Sequence, residues 1–439
     1  MNAVLAKGIF VGGLTGLLFG FDTAVIAGTT HGLALTFQLS PAGLGWTVSS
    51  ALWGTLTGAI LAGYPGDRYG ARNCLRVIAG LYLLSALGSF SAPTLGLLIA
   101  SRVLGGLAIG ASTVLAPTYL AEIAPADKRG AMVGVFQLNI VFGILVAYLS
   151  NYLIDGLSLG AQEWRWKFVV AVVPAALLAA LLFAIPNSPR WLAVAGRTDE
   201  AAGILSRIGI ANVAEELGNY IRGHRSLDGG RARLSWRRHT RPMLLAMAIA
   251  AFNQLSGINA ILYYLNDIFA AAGFGRTSAA GQAVIIGATN LVFTLLALAV
   301  IDRFGRKTLL QVGSIGIIVA LAATAGIELT GTHKDWLLWM LMLFIASFAF
   351  SQGAVIWVYI SEIFPTEVRA RGQGLGASTH WFMDALIATL FPIAAAWSRG
   401  MPFVFFTVAM VAQLVVVSVF FPETKRLTLE EMGNALERA

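Results

Sequence analysis

Charge is scarce in this chain of 439 residues, and so is cysteine. Only 12% of the residues are Asp, Glu, Lys or Arg, whereas a soluble domain carries about 25%. The single cysteine, Cys74, excludes a disulfide framework within the chain and gives no cysteine cluster for a metal. The sequence also lacks a nucleophile–base constellation and a phosphate-binding loop. We therefore expect neither an enzyme nor a bound cofactor.

Apolar sequence is abundant instead, since 57% of the residues are hydrophobic. Runs long enough to cross about 30 Å of hydrocarbon predict an all-α integral membrane protein with twelve transmembrane helices. The predicted spans are 8–30, 45–65, 74–92, 94–117, 131–153, 167–186, 242–270, 279–301, 308–329, 336–360, 372–396 and 402–421. The first stretch runs too long for a cleavable signal, so we interpret it as the first span in the bilayer.

Basic residues are distributed unevenly between these spans. If the N-terminus is cytoplasmic, 24 of the 30 Lys and Arg residues lie on the cytoplasmic side and five lie outside. The positive-inside rule then predicts that both termini are cytoplasmic, in the cell (inner) membrane. The net charge of +8 is explained by this topology, so we expect no nucleic-acid partner.

The chain repeats itself weakly after about half its length. DRYGAR at 67–72 matches DRFGRK at 302–307, and EIAPADKR at 122–129 matches EIFPTEVR at 362–369. We therefore predict two related six-helix bundles with a substrate site near the membrane midplane between them. The predicted domains are 1–186, a linker at 187–241, 242–421, and a cytoplasmic tail at 422–439. Within the linker, apolar residues recur at helical spacing, which favours short amphipathic helices over a disordered segment.

Asp22 and Arg102 each lie inside an apolar span. A charge at this depth costs at least about 2.5–3.5 kcal/mol, so it normally has a partner and a function. One acid and one base could neutralise each other and exchange a proton as the protein changes shape. The alternative is a static structural salt bridge.

The repeated motifs place charges at corresponding ends of both predicted bundles. Each charge alone could be an interfacial anchor, but the matched pairs favour a gating network. The predicted gating charges are Asp67, Arg68, Glu122, Arg129, Asp302, Arg303, Glu362 and Arg369.

Several segments together resemble one family of transporters. They are GLLFGFDTAVIAG at 16–28, the two DRxG loops, SRVLGGLAIGASTVLAPTYLAEIAP at 101–125, NSPRWL at 187–192, NQLSGINAILYY at 253–264, WVYISEIFP at 357–365 and PETK at 422–425. The chain resembles the sugar porter family of the major facilitator superfamily, whose bacterial members include proton-coupled monosaccharide transporters. The resemblance implies the major facilitator fold of two pseudo-symmetric six-helix bundles.

The resemblance also implies which residues contact the sugar. Amides both donate to and accept from sugar hydroxyls, and aromatic faces cover the C–H surface. The candidates are Gln137, Asn253, Gln254, Asn259, Asn290, Trp357, His380, Trp381 and Asp384. Tyr263 and Tyr264 fit the family pattern for gate residues, and the helix is expected to break beside Gly257. The alternative for any one amide is a hydrogen bond between helices.

The sequence departs from the family pattern at several positions. Asn253 replaces a glutamine, Asn187 replaces an acid, and Ala71 replaces a basic residue. The tenth span lacks the common Gly–Pro pairs, so Gln352 is expected to enter the cavity. Asp384 stands where the family often has an amide, which makes it a sugar ligand or a rival proton site.

The implied function is proton-coupled symport, because the acid at the position of Asp22 accompanies proton-driven members of the family. A hexose such as D-glucose is the first expectation for the substrate, and the protein is expected to be a monomer. The alternatives are a sugar uniporter, a symporter for a pentose or polyol, and a sensor that binds sugar without moving it.

Overall fold

The computed structural model describes residues 3–125, 128–210, 212–228, 234–365 and 368–425. Most of the predicted tail at 422–439 lies outside these residues. The side chains of Arg129 and Asp302, two predicted gating charges, also lie outside the described part of the chain.

Every regular element in the described residues is a helix. The first half contains α1 (Ala3–Val25), α2 (Thr30–Phe37), α3 (Pro41–Leu61), α4 (Gly63–Tyr69), α5 (Ala71–Ser91), α6 (Leu95–Ile123), α7 (Arg129–Asp155), α8 (Glu163–Val169) and α9 (Val172–Leu181). The linker contains α10 (Pro189–Val194), α11 (Thr198–Ile208) and α12 (Val213–Asp228). The second half contains α13 (Trp236–Leu255), α14 (Ile258–Tyr263), α15 (Leu265–Ala271), α16 (Arg276–Phe304), α17 (Arg306–Thr330), α18 (Leu337–Phe350), α19 (Gln352–Glu362), α20 (Arg369–Trp397) and α21 (Met401–Phe420). Short 3-10 helices occupy Ile26–Gly28, Gly160–Gln162 and Lys334–Trp336.

A helix or a broken series of helices occupies each predicted span. Within the described residues, 11 helical segments are long and apolar enough to cross a membrane. The helix α3 has 21 residues and lies at the second predicted span, where Ser, Thr and Gly lower its hydropathy. The prediction of an all-helical, multi-pass membrane protein is confirmed.

The chain forms two compact units. Unit 1 comprises Met1–Thr23, Trp53–Ile144 and Phe168–Ala232. Unit 2 comprises Ala24–Leu52, Leu145–Lys167 and Arg233–Ala439. Unit 2 therefore combines the second half of the chain with two stretches of the first half.

Unit 1 depends on close backbone contact between helices. A Cβ added to Gly58 would lie 2.4 Å from the carbonyl oxygen of Leu107, and one added to Gly110 would lie 2.0 Å from that of Thr55. Small residues allow this approach in a membrane protein. The requirement explains part of the high glycine content, since larger residues would separate α3 from α6.

The linker helices are present, as predicted. In α11 the buried residues are Ala201, Ile204, Leu205 and Ile208, which share one helix face. This face joins the apolar core of unit 1. The linker helices α10 and α11 are therefore packed against unit 1, whereas the last described linker residues, 234–241, belong to unit 2.

In unit 2, hydrogen bonds join the two stretches of the first half to helices of the second half. The Ser49 hydroxyl accepts a hydrogen bond from Oγ1 of Thr389 at 2.7 Å. The Tyr148 hydroxyl donates to the carbonyl oxygen of Leu262 at 2.8 Å. Unit 2 is thus held together by polar contacts as well as apolar ones.

Candidate functional site

Asp22 on α1 and Arg102 on α6 form a buried ion pair in unit 1. Nη1 of Arg102 lies 2.6 Å from Oδ1 of Asp22, and the two side chains are 3% and 9% exposed, respectively. Nη2 of Arg102 donates to the backbone oxygen of Asp22 at 3.2 Å. The guanidinium also lies over the ring of Phe168, 5.2 Å from its centre. The two charges therefore meet, as the sequence predicted, and an aromatic face covers the cation.

Only one carboxylate oxygen of Asp22 is bound by the guanidinium. The buried Oδ2 accepts no hydrogen bond from the described residues. Gly105 lies next to it, because a Cβ added there would be 3.3 Å from Oδ2 and 2.4 Å from Oγ of Ser85. A side chain at position 105 would crowd Ser85 and the carboxyl group, so glycine leaves room beside the buried Oδ2.

A second polar cluster in unit 2 is built around a helix break at Gly257. The helix α13 ends at Leu255 and α14 begins at Ile258, while Gly257 has a φ of +80°. A Cβ at this position would lie 2.3 Å from Cδ2 of Phe406. The positive φ and the close aromatic ring both favour glycine. The predicted break is confirmed.

The amides on either side of the break both contact α20. Nε2 of Gln254 lies 3.0 Å from Nε2 of His380. Nδ2 of Asn259 donates to Oδ2 of Asp384 at 3.0 Å. His380 and Asp384 are one helical turn apart on α20, so one face of that helix receives both amides.

Two indole rings flank the imidazole of this cluster. The ring centres of Trp357 and Trp381 each lie 5.1 Å from that of His380. Trp357 is 37% exposed, whereas Trp381 is buried. Oδ1 of Asn253 lies 3.4 Å from the Gln254 amide nitrogen, at the long end of the hydrogen-bond range. Amides, an imidazole, a carboxyl and exposed aromatic surface together form the kind of lining that a sugar requires.

The two predicted gate tyrosines also bind α20. The Tyr263 hydroxyl donates to Oδ2 of Asp384 at 3.0 Å. The Tyr264 hydroxyl donates to the backbone oxygen of Ala388 at 2.9 Å, and its ring stacks on Phe391 with the ring centres 5.1 Å apart. The segment after the break is therefore attached to α20 at several points.

Other predicted sugar ligands are not part of this cluster's hydrogen bonds. Gln137 lies on α7 in unit 1 and is half-buried, and Asn290 is buried on α16. Nε2 of Gln352 donates to Oε1 of Gln413 at 3.0 Å. The expectation that Gln352 enters a sugar cavity is therefore not supported, because its amide joins α19 to α21.

A cavity of about 320 Å³ lies elsewhere in unit 2. Its lining includes Tyr264, Asp267, Glu328 and Phe391, but none of the candidate amides or His380. Its walls are mostly apolar side chains. The candidate sugar ligands Gln254, Asn259 and His380 therefore lie outside this cavity.

The repeated charged motif of the second half forms an interlocked network inside unit 2. Oε1 of Glu362 lies 3.0 Å from Nη2 of Arg306, and its other oxygen accepts from the Thr424 hydroxyl at 2.6 Å. Glu423 accepts from the backbone N–H groups of Arg306 and Lys307 at 2.9 and 3.1 Å. An acid at a helix N-terminus stabilises its unpaired N–H groups. PETK thus caps the helix that follows DRFGRK.

Sequence reasoning did not assign roles to Arg306 and Glu423. An acid just after the last span and a basic residue in a DRxGRK loop were the available signals. Of the predicted gating charges, Arg303 is exposed and Arg369 begins α20. The Arg303 carbonyl oxygen accepts from Nζ of Lys425 at 2.5 Å.

The corresponding motif of the first half contacts the NSPRWL segment. Nε1 of Trp191 donates to the backbone oxygen of Asp67 at 2.9 Å. Glu122 lies beside Ser188 and Arg190. The exposed Arg68 donates to the hydroxyl of Tyr64 at 2.9 Å. The carboxyl group of Glu122 and the backbone oxygen of Asp67 therefore contact the start of the linker within unit 1, whereas Arg68 contacts Tyr64 on its own helix α4.

A third charged cluster, in unit 2, was not predicted. Nζ of the buried Lys167 lies 2.5 Å from Oδ1 of Asp155 and 3.1 Å from Oε1 of Glu163. It also donates to the carbonyl oxygen of Gly28 at 2.8 Å. Arg276, from the second half, lies 3.1 Å from Glu163. Sequence reasoning counted Lys167 and Arg276 only as outward-facing charges, although Glu163 lies four residues before Lys167 on α8; Asp155 lies on α7 and Arg276 on α16.

The structure thus belongs to the class of helical multi-pass membrane transporters that carry buried ionisable groups. The family model "Sugar (and other) transporter" matches residues 9–436. The chain belongs to this family of sugar transporters, and it is therefore not an enzyme.

The relatives of the chain share its full length. A D-xylose transporter from Levilactobacillus brevis is 33% identical and matches 97% of this chain and 94% of its own length. A D-xylose-proton symporter from Escherichia coli K12 is 34% identical, and the match covers 95% of this chain and 93% of the symporter. An arabinose-proton symporter from Bacillus subtilis is 35% identical, and the match covers 96% of this chain and 92% of the symporter.

Solved structures of the xylose transporter XylE from E. coli have the same fold. A partially occluded inward-open form gives a TM-score of 0.87 at 31% identity and covers 97% of this chain and 100% of the XylE chain. A form bound to 6-bromo-6-deoxy-D-glucose gives a TM-score of 0.80 at 31% identity, with 99% and 100% covered. The expected twelve-helix major facilitator fold is confirmed.

Proposed function

We propose that this protein is a proton-coupled symporter that moves a monosaccharide into the cell by alternating access. The observation that carries the proposal is the buried Asp22–Arg102 pair, since an isolated acid and base inside membrane helices are the parts of a proton relay. The names of the relatives, which include proton symporters for xylose and arabinose, support it.

The proposed coupling uses the geometry of that pair. In general, burial favours the neutral form of a carboxyl group, whereas a neighbouring guanidinium favours the carboxylate. A conformational change that moves Arg102 away from Asp22 would let the carboxyl take a proton, and renewed pairing would release it. The oxygen Oδ2, which accepts no hydrogen bond from the described residues, is the proposed proton acceptor.

The proposed sugar contacts are made by the α13–α14–α20 cluster. Gln254 and Asn259 offer amide groups, and Trp357 offers an exposed aromatic face. Gln137, Asn253, Asn290, His380, Trp381 and Asp384 stay predicted contacts. Tyr263 and Tyr264 are the proposed gate residues, and the charges of the DRxG and EIxP motifs are the proposed gating network.

The substrate we propose first is a pentose such as D-xylose. The relatives named for D-xylose and arabinose favour a pentose over the hexose that the sequence suggested. A hexose such as D-glucose is the second candidate, because XylE has been solved with a brominated deoxyglucose bound.

The remaining assignments also stay proposals. We propose a monomer in the inner membrane with both termini in the cytoplasm. We also propose that the functional halves are 1–186 and 242–421, joined by the linker at 187–241.

Uptake into proteoliposomes tests the function directly. The purified protein should accumulate labelled D-xylose when the outside is more acidic than the inside, and a protonophore should abolish the accumulation. Adding D-xylose to vesicles without a gradient should make the outside medium more alkaline. Uptake that ignores the pH difference would instead indicate a uniporter, and binding without uptake would indicate a sensor.

Competition assigns the substrate. Unlabelled L-arabinose, D-glucose and D-galactose should each be added against labelled D-xylose, with and without the gradient. We expect D-xylose and L-arabinose to compete more strongly than the hexoses. Stronger competition by D-glucose would reverse the order of the two candidates.

A further inference from the structure

Asp384 receives two hydrogen bonds from one short helix. Nδ2 of Asn259 and the hydroxyl of Tyr263 both donate to its Oδ2, each at 3.0 Å. The donors are one turn apart on α14, so they lie on the same face of that helix. Asp384 is 1% exposed, and its hydrogen-bond partners among the described residues are these two neutral groups.

The helix α14 is too short to be stable by itself. It has six residues and lies between the positive φ of Gly257 and the irregular backbone of Tyr264, whose φ and ψ are −110° and 18°. Isolated helices shorter than about 12–15 residues are marginal, so the orientation of α14 depends on what it packs against. Its hydrogen bonds to α20 are therefore important for its position.

The two donors have different proposed tasks. Asn259 has a second amide hydrogen and a carbonyl oxygen, which remain available to a sugar while the first hydrogen bonds to Asp384. Tyr263 belongs to the proposed gate. One carboxylate oxygen thus holds a proposed sugar ligand and a proposed gate residue together.

We propose that Asp384 is a positioning residue for transport. It holds the amide of Asn259 in its sugar-binding orientation and the hydroxyl of Tyr263 in its gate position, so the sugar site and the gate segment move as one body. This inference rests on the proposed transport of a monosaccharide. As a carboxylate, Asp384 would bind the two donors more strongly than an amide does.

A double-mutant cycle tests this role through labelled D-xylose counterflow between equal pools. Asp384→Ala should raise KM and lower the maximum rate, because it releases both donors. Tyr263→Phe should lower mainly the maximum rate, by about tenfold, which corresponds to about 1.4 kcal/mol. In the Asp384→Ala background, Tyr263→Phe should have almost no further effect, since the shared acceptor is already absent.

Tyr264→Phe is the matched control. It removes a neighbouring phenol whose partner on α20 is the backbone oxygen of Ala388 and not Asp384. Its effect on the maximum rate should therefore be the same factor in the wild-type and Asp384→Ala backgrounds. Asp384→Asn should recover part of the lost affinity, because an amide oxygen can still accept both hydrogen bonds, although more weakly than a carboxylate does.

The outcomes separate this inference from the proposed function. Equal effects of Tyr263→Phe in both backgrounds would overturn the shared role of Asp384 while the wild type still transports. Absence of counterflow in the folded wild type would overturn the proposed function instead. If Asp384→Ala does not fold, as shown by gel filtration in detergent, Asp384→Leu, which also lacks an acceptor and is closer in size to Asp, serves as the second background for the same cycle.

Discussion

Asp22 and Asp384 are both buried acids on membrane helices, but their partners differ. Asp22 is bound by the guanidinium of Arg102, 2.6 Å away. Asp384 is bound by an amide and a phenol, each 3.0 Å away. A cation stabilises a carboxylate by charge, whereas neutral donors stabilise it only through hydrogen bonds.

This difference separates two functions that the sequence alone could not separate. At Asp22, the loss and gain of a proton can be matched by a movable countercharge, which suits proton coupling. At Asp384 no cation is among the hydrogen-bond partners within the described residues, and both donors belong to the sugar and gate segment. We therefore propose energy coupling for Asp22 and positioning for Asp384.

The cluster around Lys167 is a third arrangement of buried charge. Here one cation, 1% exposed, contacts two acids, and the exposed Arg276 adds a second cation. The cluster joins 145–167 of the first half to α16 of the second half inside unit 2. Its charges are balanced, so we expect it to stabilise structure and not to exchange protons.

The largest expected effect comes from removing the cation of the coupling pair. Arg102→Met leaves a buried carboxylate without its countercharge, and breaking a buried pair in this way costs about 3–5 kcal/mol. Thermal unfolding of the detergent-solubilised protein should show the loss. The double variant Asp22→Asn with Arg102→Met should recover most of it, because no unpaired charge remains. A single variant as stable as the wild type would mean that the pair is not buried in the membrane protein.

The next largest expected effect is on the coupling of sugar uptake to the proton gradient and not on the stability of the protein. Asp22→Asn should abolish sugar accumulation but retain exchange between equal pools. One charge moved through the membrane potential contributes about 2.3 kcal/mol per 100 mV, enough for about tenfold or greater accumulation. The measurement is the ratio of inside to outside labelled sugar at steady state. Retained uphill uptake in this variant would refute the assignment.

Much of the fold could be predicted from the sequence, because the length and hydropathy of an apolar run clearly indicate a membrane helix. The break at Gly257 was also predictable, since a glycine between two amide-bearing segments favours it. The meeting of Asp22 and Arg102 followed from the cost of leaving either charge unpaired in the bilayer. These predictions depend on local sequence or on simple charge balance.

Contacts between segments that are distant along the chain could not be predicted from the sequence. The pairing of Gln352 with Gln413 depends on how α19 and α21 face each other, which no short motif encodes. The acids around Lys167 come from separate helices, and the cap that Glu423 forms on α17 joins residues more than one hundred positions apart. The double hydrogen bond at Asp384 likewise requires the geometry of α14 against α20.

A smaller effect is expected at the second acid. Asp384→Asn should still accumulate sugar against its gradient, which contrasts with Asp22→Asn. Its KM should rise by about tenfold, or about 1.4 kcal/mol, because a neutral amide oxygen accepts the two hydrogen bonds more weakly than a carboxylate oxygen does. Initial uptake rates at several sugar concentrations measure this. If Asp384→Asn loses accumulation and keeps its KM, Asp384 is the proton site and the two assignments must be exchanged.

The smallest effect is expected at the exposed edge of the third cluster. The side chain of Arg276 is 59% exposed although it lies 3.1 Å from Glu163. An exposed ion pair contributes about 0–1 kcal/mol and weakens with salt, so Arg276→Gln should lower the unfolding temperature slightly at low salt and not at high salt. Lys167→Met is the matched comparison, because it leaves two buried acids with only the exposed Arg276 as a countercharge and should destabilise the protein at any salt concentration. Equal effects of the two variants would show that burial does not set the strength of these ion pairs.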